Sequence, residues 1–388
     1  MIKSLKLQNI RSFEDATFEF DEGVNLIIGP NGSGKTTILE AIALFGFGSF
    51  QSARADFQAV RLGSEIGRIE IQGVKEGSDT EADCALLEGG KIFKVMTNKT
   101  PASYMVGFFK TVLFNPETID LVAGAPLTRR RELDLAIAQK KKTFVKTLLE
   151  YRNVLKQRNQ LLKRISLGVA KEAELGFWDD ELAKLSRVIM KERKKFINEM
   201  NLGLAELHRG LSLKKSNLKL KLVPSCEYER FDEALAASLE QDLRVGLTNI
   251  GPHRDDFVFS NNGISLREQA SRGEQRLAAV AFKIRSKQYL TEGAEEPIII
   301  FDDVFSELDK DRREAVAKIA DGGPLDNTRG KPLDHTQGKS LDNVHTEQSR
   351  GTRGKSLEPA RDRQIFISAT DDRVVPEILK KKAKVIKL

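Results

Sequence analysis

Apolar residues in the first part of the chain recur with the spacing of β-strands. Ile2 to Leu7 and Ala16 to Phe20 alternate apolar and polar residues, which is typical of strands with one buried face. Val24 to Ile28 is almost continuously apolar, the pattern of a strand buried on both faces. It leads into a glycine-rich turn and then an apolar helix predicted over Thr37 to Leu44. This order of elements predicts an α/β region.

The middle of the chain changes to helical periodicity at about residue 129. Leu148, Leu155 and Leu162 recur at every seventh residue, and the repeat stops at Gly168. We interpret this stretch as one helix of a short antiparallel seam, because the repeat is too brief for a long coiled coil. A second helix is predicted from about Trp178 to His208, after which strand-like sequence resumes.

One segment near the C-terminus has almost no apolar content. From Pro324 the chain reads PLDNTRGK, PLDHTQGK and SLDNVHTEQSRGTRGK, a degenerate octad repeat. So few units cannot bury a core that offsets the conformational entropy of ordering them. We therefore predict a disordered insertion over residues 322–362, followed by a strand in QIFISATD.

Charge is distributed unevenly along the chain. The formal net charge is +7, whereas residues 125–221 hold 24 Lys and Arg against 11 Asp and Glu. A basic lobe on a mildly acidic body is typical of a protein that binds nucleic acid. Helices with solvated charged faces produce the same counts. Composition alone leaves both interpretations open.

The remaining bulk features bound the location of the protein. No apolar run approaches the ~20 residues of a membrane span, and the N-terminus has no signal-peptide pattern. Cys84 and Cys226 match no metal-binding spacing and are predicted to be reduced thiols. We expect a cytoplasmic protein that does not contact the membrane.

A phosphate-binding loop is predicted directly after the buried strand. The sequence GPNGSGKT fits the pattern G-x-x-x-x-G-K-[ST] and stands between a strand and a helix, as its mechanism requires. Backbone N–H groups of such a loop cradle phosphate oxygens, and the helix N-terminus adds its positive dipole end. The predicted ATP-binding residues are Gly29, Pro30, Asn31, Gly32, Ser33, Gly34, Lys35, Thr36 and Thr37. Lys35 would place its charge at the β/γ-phosphates, and Thr36 would offer its hydroxyl to Mg²⁺.

Two carboxylates end a second apolar strand, Ile298 to Phe301. Open α/β sheets bind ligands at the carboxyl ends of their strands, which is where Asp302 and Asp303 stand. We predict that Asp302 holds Mg²⁺ and that Asp303 orients or deprotonates the attacking water. The alternative is a buried strand that ends in a capped turn, and the presence of the phosphate loop argues against it.

A third pattern indicates the subclass of ATPase. Ser271, Gly273 and Gln275 resemble the S-x-G-x-Q signature of ABC ATPases, and a helix is predicted from Arg276 to Leu290. Ser306 and Asp309 then match the D-loop of the same class. In ABC ATPases the signature faces the ATP that is held by the opposite subunit, so one copy alone has an incomplete site. In isolation, S-R-G-E-Q is also an ordinary helix cap.

These motifs predict the fold class and the domain order. The fold is α/β, an ABC-ATPase head with a mixed or parallel sheet and an inserted, mainly helical lobe. We assign the head to residues 1–124 and to residues 222–321 with 363–388. The basic helical lobe takes residues 125–221, and the disordered repeat takes residues 322–362.

Further motifs resemble the RecF family of bacterial recombination-repair proteins. They are LQNIRSF near the N-terminus, FNPE followed by an arginine run from Arg129, QRN at Gln157 to Asn159, GPHRDD from Gly251, and DDVFSELD. The resemblance covers nearly the whole chain except the repeat. Relatives that maintain chromosome structure carry coiled coils of hundreds of residues between their head halves, and this chain has no room for one.

The resemblance implies most of the expected biology. It implies an ATP-dependent homodimer that binds double-stranded DNA without sequence preference, especially at junctions with single strands. It also implies slow, DNA-stimulated ATP hydrolysis, roles in replication and the SOS response, and RecR and RecO as partners that help to place a recombinase at gaps. The basic lobe then supplies the candidate DNA contacts Arg129, Arg130, Lys140, Lys141 and Lys142.

The chain departs from the general ABC pattern in two places. Asp303 stands where most ABC ATPases have Glu, which sets the base about one methylene further back and favours a slow switch. No histidine follows the last strand, so Thr370 or Asp371 is the candidate in its place. Gln51 is a weak candidate for the Q-loop.

Several assignments stay open at the level of sequence. Arg11 either contacts nucleotide, as in related heads, or lies in a surface loop. His253 and Arg254 either touch phosphate or DNA, or form a structural turn. The main alternative function is an ATPase subunit that energises a membrane transporter, and a small-molecule phosphotransferase is a third. The helical insert, the missing switch histidine and the basic lobe argue against the transporter, and the signature argues against the phosphotransferase.

Overall fold

The computed structural model describes residues 1–51, 56–212, 214–291, 295–322 and 363–388, and these residues form three β-sheets surrounded by helices. The predicted disordered insertion, residues 322–362, lies outside the described residues except for its first position, residue 322. Every strand and helix that the periodicity predicted is present, with bounds that differ by a few residues.

The first sheet is antiparallel and has six strands. The first strand of the chain lies second from one edge of this sheet, and its Leu5 and Leu7 are fully buried while Lys3 and Lys6 reach towards solvent. This alternation produces the one-sided burial that the sequence predicted. In spatial order the strands are β2 (Phe13–Glu19), β1 (Ile2–Ile10), β4 (Gly67–Lys75), β5 (Ser78–Leu87), β6 (Gly90–Val95) and β7 (Asn98–Thr100).

The second sheet is parallel and is covered on both faces. Successive residues of its strands point to opposite sides, so Ile298 and Ile300 join one hydrophobic cluster and Ile299 and Phe301 join the other. In spatial order its strands are β14 (Ala383–Lys387), β3 (Gly23–Ile28), β13 (Gln364–Ala369), β12 (Ile298–Asp302) and β8 (Thr111–Phe114). The strand register is parallel throughout.

A third, antiparallel sheet lies in the C-terminal half, with strands in the order β11 (Ile264–Ser265), β10 (Asp256–Asn261) and β9 (Leu218–Val223). The helices are α1 (Lys35–Phe47), α2 (Ala102–Met105), α3 (Asp120–Ala123), α4 (Pro126–Lys140), α5 (Lys142–Ser166), α6 (Gly176–Ser212), α7 (Phe231–Ala237), α8 (Leu239–Val245), α9 (Leu266–Gln269), α10 (Arg272–Leu290), α11 (Lys310–Ala320) and α12 (Glu377–Lys380). In the described part of the chain no helix combines the length and the apolar character needed to cross a bilayer.

Helix α1 lies between the first two sheets and is almost entirely buried, which explains its apolar sequence. Helix α10 packs on the opposite face of the parallel sheet, and the long helices α4, α5 and α6 belong to the same hydrophobic cluster. The lobe predicted over residues 125–221 therefore shares a hydrophobic core with the head. Helices α4 and α6 reach the head through α10 and through the small antiparallel sheet, and α5 packs on α4 and α6.

The helical region differs from the predicted seam in detail. Leu162 is buried, but Leu148 and Leu155 are only half-buried, and the inner row of α5 runs through Phe144, Tyr151 and Arg158. The reason is that α5 packs on polar partners as well as on α6. Helix α6 is longer than predicted and contains a kink at Leu202 and Gly203, where Gly203 has a φ of 91°.

Candidate functional site

The phosphate loop joins the end of β3 to the start of α1. Gly34 caps the helix with a φ of 101°, a left-handed conformation that glycine adopts without strain. A Cβ atom at this position would lie 2.5 Å from the ring of Phe13. Gly34, the second fixed glycine of the pattern G-x-x-x-x-G, therefore meets both a conformational and a steric requirement. The loop leaves its backbone N–H groups at the N-terminus of a 13-residue helix.

Lys35 is buried beneath this loop. Its Nζ donates hydrogen bonds to the carbonyl oxygens of Gly29 and Pro30, at 2.7 Å and 2.8 Å. The ammonium group therefore stands inside the turn that the motif forms. Its predicted contact with phosphate requires it to exchange these carbonyls for phosphate oxygens.

Asp302, at the end of β12, accepts hydrogen bonds from the phosphate loop and from the neighbouring strand β13. Thr36 Oγ1 donates to Asp302 Oδ1 at 3.1 Å, and Ser368 Oγ at the end of β13 donates to the same oxygen at 2.6 Å. Burial raises the pKa of the Asp302 carboxyl above its usual range, and the two hydroxyl donors act in the opposite direction. The structure thus brings together the predicted Mg²⁺ residues Thr36 and Asp302, which are 266 positions apart.

Asp303 follows in a left-handed conformation, with a φ of 51°. Its backbone N–H donates to Ser368 Oγ at 3.0 Å, which holds the strained residue in place. Ser368 therefore connects the two carboxylate residues directly.

The donor set fits a nucleoside triphosphate with a divalent cation. Ser33 Oγ and Asp303 Oδ1 are buried and have no hydrogen-bond partner among the described residues. Buried polar atoms are nearly always satisfied, so such a pair at a candidate site indicates a polar ligand. A threonine hydroxyl beside a carboxylate supplies the hard oxygen atoms that Mg²⁺ prefers. Neither here nor in the rest of the described ranges does a cluster of three or more His, Cys, Asp or Glu residues have the geometry of a metal site.

Arg11 lies beside the first turn of α1. Its guanidinium is 2.6 Å from Glu40 Oε2 and 3.5 Å from Thr37 Oγ1, and it lies over the ring of Phe50. The residue is therefore ordered next to the phosphate loop, which supports a nucleotide contact over a surface loop. That role stays a proposal.

The signature residues form the N-terminus of α10. Ser271 Oγ accepts from the Glu274 backbone N–H at 3.3 Å, and the Ser271 backbone N–H donates to Glu274 Oε2 at 3.0 Å, which forms a capping box. The Ser271 hydroxyl also donates to Glu274 Oε2, at 2.9 Å. Ser271, Gly273 and Glu274 are exposed. The hydrogen bonds from Ser271 lower the pKa of the Glu274 carboxyl, so it is ionised near neutral pH.

Gln275 requires a correction to the predicted signature set. Its side chain is buried, and Nε2 donates to the carbonyl oxygens of Leu266 and Arg267, at 2.9 Å and 3.3 Å. These bonds hold α9 against α10, so the amide is engaged within its own chain. Glu274 is the exposed residue beside Ser271 and Gly273.

The D-loop follows Asp303 without a break. Ser306 Oγ donates to the carbonyl oxygen of Asp303 at 2.7 Å, and Asp309 caps α11 by accepting from Arg312. Both predicted residues are exposed. The D-loop is therefore attached to Asp303, and both of its predicted residues are open to solvent.

The signature and the phosphate loop belong to different parts of the molecule. The phosphate loop stands at the carboxyl end of β3 inside the parallel sheet, whereas Ser271 lies beside α9 and the small antiparallel sheet. Within the described ranges no hydrogen bond or ion pair joins Ser271 or Gly273 to residues 29–37.

The predicted DNA contacts are all engaged within the chain. Arg129 is fully buried and binds both carboxylate oxygens of Asp256, so it does not face solvent, and this prediction is corrected. The other four cations bond to groups of their own chain: Arg130 to Asp255 O, Lys140 to Tyr289 O, Lys141 to Glu192, and Lys142 to Tyr104 O and Val106 O. Burial also lowers the pKa of Lys142 to about 8.

The GPHRDD turn has a structural role in this conformation. His253 Nε2 donates to Thr248 O at 2.9 Å, and Nδ1 accepts from the Tyr151 hydroxyl at 2.6 Å. Burial lowers the pKa of His253 to about 4, so the ring is neutral at pH 7. Arg254 donates to the same Thr248 carbonyl at 3.4 Å. The Tyr151 contact attaches this turn to α5, and the two contacts with Thr248 hold it to the preceding loop. These bonds favour the structural interpretation.

Sequence reasoning missed two residues of the site. Ser368 carries no motif of its own, because its importance comes from strand neighbours 65 and 66 positions away. Glu274 could have been found, since S-x-x-E before an apolar run predicts a capping box. The weak Q-loop candidate Gln51 donates only to Ser49 O, and residues 52–55 that follow it lie outside the described residues. Asp371 pairs with Arg373, two residues away, and no bond of Thr370 to the site is recorded in the described ranges.

Comparisons with known proteins show which proteins this chain resembles. The family described as AAA domain matches residues 4–296. The DNA replication and repair protein RecF of Agathobacter rectalis is 34% identical over 317 residues, which cover 81% of this chain and 87% of that protein. The RecF protein of Lachnoclostridium phytofermentans is 33% identical over 317 residues, 81% of this chain and 88% of its own.

Solved structures show the same architecture. The recombination mediator protein RecF–ATPrS in the RecFOR pathway superposes with a TM-score of 0.81 at 26% identity, covering 100% of this chain and 96% of that chain. The RecF–ATP structure gives a TM-score of 0.80 at 27% identity, over 95% and 92% of the two chains. An SmcHead bound to the C-winged helix domain of ScpA reaches 0.52 at 14% identity, covering 100% and 93%, and supports the ABC-ATPase head fold that the motifs predicted.

Proposed function

The chain belongs to the RecF family of DNA replication and repair proteins, and we propose that it acts as a DNA clamp in which ATP joins two copies. The observation that supports this most directly is the division of the site. The phosphate loop and the carboxylates meet in one place, while Ser271 and Gly273 stand exposed beside another sheet. A second copy, turned to face the first, supplies the missing half of each pocket.

We call residues 29–37, Asp302, Asp303 and Ser368 the phosphate edge. Each of its side chains has a defined part in this proposal. Backbone N–H groups of residues 29–34 bind the phosphates, and Lys35 adds its charge. Thr36 and Asp302 hold Mg²⁺, which neutralises phosphate charge when it is bound. Asp303 accepts a proton from the attacking water, and Ser368 keeps that carboxylate residue in its strained conformation.

The reaction is expected to be a slow switch. Aspartate is one methylene shorter than the glutamate of most ABC ATPases, so the Asp303 carboxylate reaches less far towards the γ-phosphate. General-base catalysis depends on a hydrogen-bond distance to the proton that is removed. Hydrolysis then limits the lifetime of the dimer on DNA.

The partners are proposed from the family. Duplex DNA and its junctions with single strands are the expected nucleic acid, bound through phosphates without sequence preference. RecR- and RecO-type mediators are the expected protein partners, in the cytoplasm. Membership of the RecF family argues against the transporter alternative, because the relatives are DNA replication and repair proteins.

Sedimentation velocity tests the clamp. We expect a single copy without nucleotide, a dimer at saturating Mg-ATP, and a faster complex when duplex DNA is added. A protein that stays single at saturating Mg-ATP with DNA present contradicts the proposal.

A further inference from the structure

The two faces of helix α5 differ sharply in how their charged residues are used. On the inner face Arg158 is fully buried and donates to Asp179 at 2.6 Å, Asp242 at 2.7 Å and Thr248 at 2.9 Å. Tyr151 of the same face bonds to His253. These contacts fasten α5 rigidly to α6, α8 and the GPHRDD turn.

The outer face carries three cations with no such partners. Arg152, Lys156 and Lys163 are exposed, and within the described ranges no ion pair or hydrogen bond is recorded for their side chains. At 3.6 residues per turn they lie within about 40° of one another around the helix axis. They form a straight row, which we call the α5 stripe.

The surroundings of the α5 stripe leave its charge uncompensated. Helix α5 has seven Lys and Arg residues and a single acidic residue, Glu150, which lies 3.7 Å from Lys146. A Cβ atom on Gly246 would lie 3.0 Å from Lys163 Cγ, so the stem of Lys163 rests against the end of α8. Part of the stripe is thus ordered before any ligand binds.

We propose that the α5 stripe binds the backbone phosphates of duplex DNA. The inference rests on the proposed function, which requires a DNA-binding surface, and it names that surface. A rise of 1.5 Å per residue makes the row about 16 Å long. Phosphates of one strand recur at about 3.4 Å along the duplex axis, so the row spans about five of them. The helix backbone already fixes the spacing of the three cations, so only their side chains lose conformational freedom when they meet phosphates.

Other basic positions fit this role less well. The five cations that the sequence suggested are bonded within the chain. Helix α6 also presents a row, Lys184, Lys191 and Lys195, but Lys184 lies 3.2 Å from Glu181 and Lys195 lies 3.8 Å from Glu199. This second row has the same number of cations on a similar helix face and provides a matched control.

The test compares two triple variants in duplex DNA titrations across a salt series with Mg-ATP present. The α5 variant is Arg152→Gln, Lys156→Gln and Lys163→Gln, and the control is Lys184→Gln, Lys191→Gln and Lys195→Gln. Each phosphate contact contributes about 0.9 to the slope of log K against log salt. We expect the α5 variant to lose about 2 to 3 from this slope and the control to stay within about 1 of the wild type.

Further readouts separate the possible failures. Arg152→Lys with Lys156→Arg and Lys163→Arg retains the charges and should retain the slope. Equal slopes for the two neutral variants, or an unchanged slope in the α5 variant, overturn the inference. Sedimentation with Mg-ATP is expected to show dimers for the wild type and both variants. A wild type that fails to dimerise contradicts the proposed clamp, whereas normal dimers with equal slopes contradict only the assignment to α5.

Discussion

The polar side chains of the phosphate edge and those of the signature helix are held in place in opposite ways. At the phosphate edge Lys35, Asp302 and Ser368 are buried, and their partners come from three parallel strands or the loops that follow them. At the signature helix Ser271 is exposed, and among the described residues its side chain bonds only to Glu274, three residues away. One region is held by tertiary contacts, and the other by a local helix cap.

The difference indicates what each region can do without a second copy. The phosphate edge is buried and held by tertiary hydrogen bonds, so its geometry is already set and it can bind phosphate in a single chain. The exposed Ser271 at a helix N-terminus can donate hydrogen bonds to a ligand, but the phosphate loop of its own chain lies in another part of the molecule. Nucleotide binding and pairing should therefore be separable by mutation, and the following variants remove successive steps.

Lys35→Ala should affect the most steps, because it removes nucleotide binding, on which pairing and turnover both depend. Loss of a hydrogen bond to a charged group costs about 1.5 to 3 kcal/mol, or roughly 10- to 150-fold in Kd for Mg-ATP. Fluorescent-nucleotide titration measures the affinity, and sedimentation should show no ATP-dependent dimer. Lys99→Ala, on the exposed strand β7, is the control. Unchanged nucleotide affinity in Lys35→Ala would remove this lysine from the site.

Ser271→Arg should leave nucleotide affinity near the wild-type value and abolish the dimer. A bulky cation at the exposed helix cap blocks the approach of a second copy, while the phosphate edge is in another part of the molecule. Loss of the cap itself costs about 1 kcal/mol, so Ser271→Ala controls for helix stability in a thermal melt. A variant that binds Mg-ATP and still dimerises as the wild type does would show that pairing does not involve the signature.

Asp303→Asn should retain binding and pairing but stop turnover. A general base contributes about 10²- to 10⁴-fold to rate, and asparagine cannot accept the proton. ATP hydrolysis is measured by phosphate release, and dimer lifetime by dilution in a sedimentation or scattering experiment. The expected result is a dimer that outlives the wild-type dimer. If the variant dimer dissociates as quickly as the wild type, Asp303 does not have the assigned role.

Ser368→Ala should have the smallest effect on turnover, a decrease of about tenfold from loss of one hydroxyl that serves both carboxylate residues. The variant removes a donor from Asp302, whose pKa burial already raises, so the carboxyl should titrate at still higher pH. The acid limb of Mg-ATP binding should therefore move to higher pH. Ser368→Thr keeps the hydroxyl on a strand and should restore both properties. A lower rate without the pH shift would indicate a purely structural effect.

Sequence patterns determined the chemistry of this chain and the kinds of element that carry it. Each motif from Gly29 to Thr36, at Asp302 and Asp303, and at Ser271 is short, and its function depends on backbone geometry within a few residues. The same is true of the helix caps and of the alternation that predicted β1 and the continuous burial of β3. Local spacing is enough for such features, because the groups that interact are close along the chain.

Only the tertiary structure decided which polar side chains are free to act. Arg129 and Arg152 look alike in sequence, yet Asp256, 127 positions away, buries the first in an ion pair, while the second stays exposed. The side chain of Gln275 is buried because it donates to carbonyl oxygens of α9. Ser368 lies beside the carboxylates because β13 is the neighbour of β12 in the sheet. The physical reason is that burial and pairing depend on groups distant in sequence, whose approach no local pattern encodes.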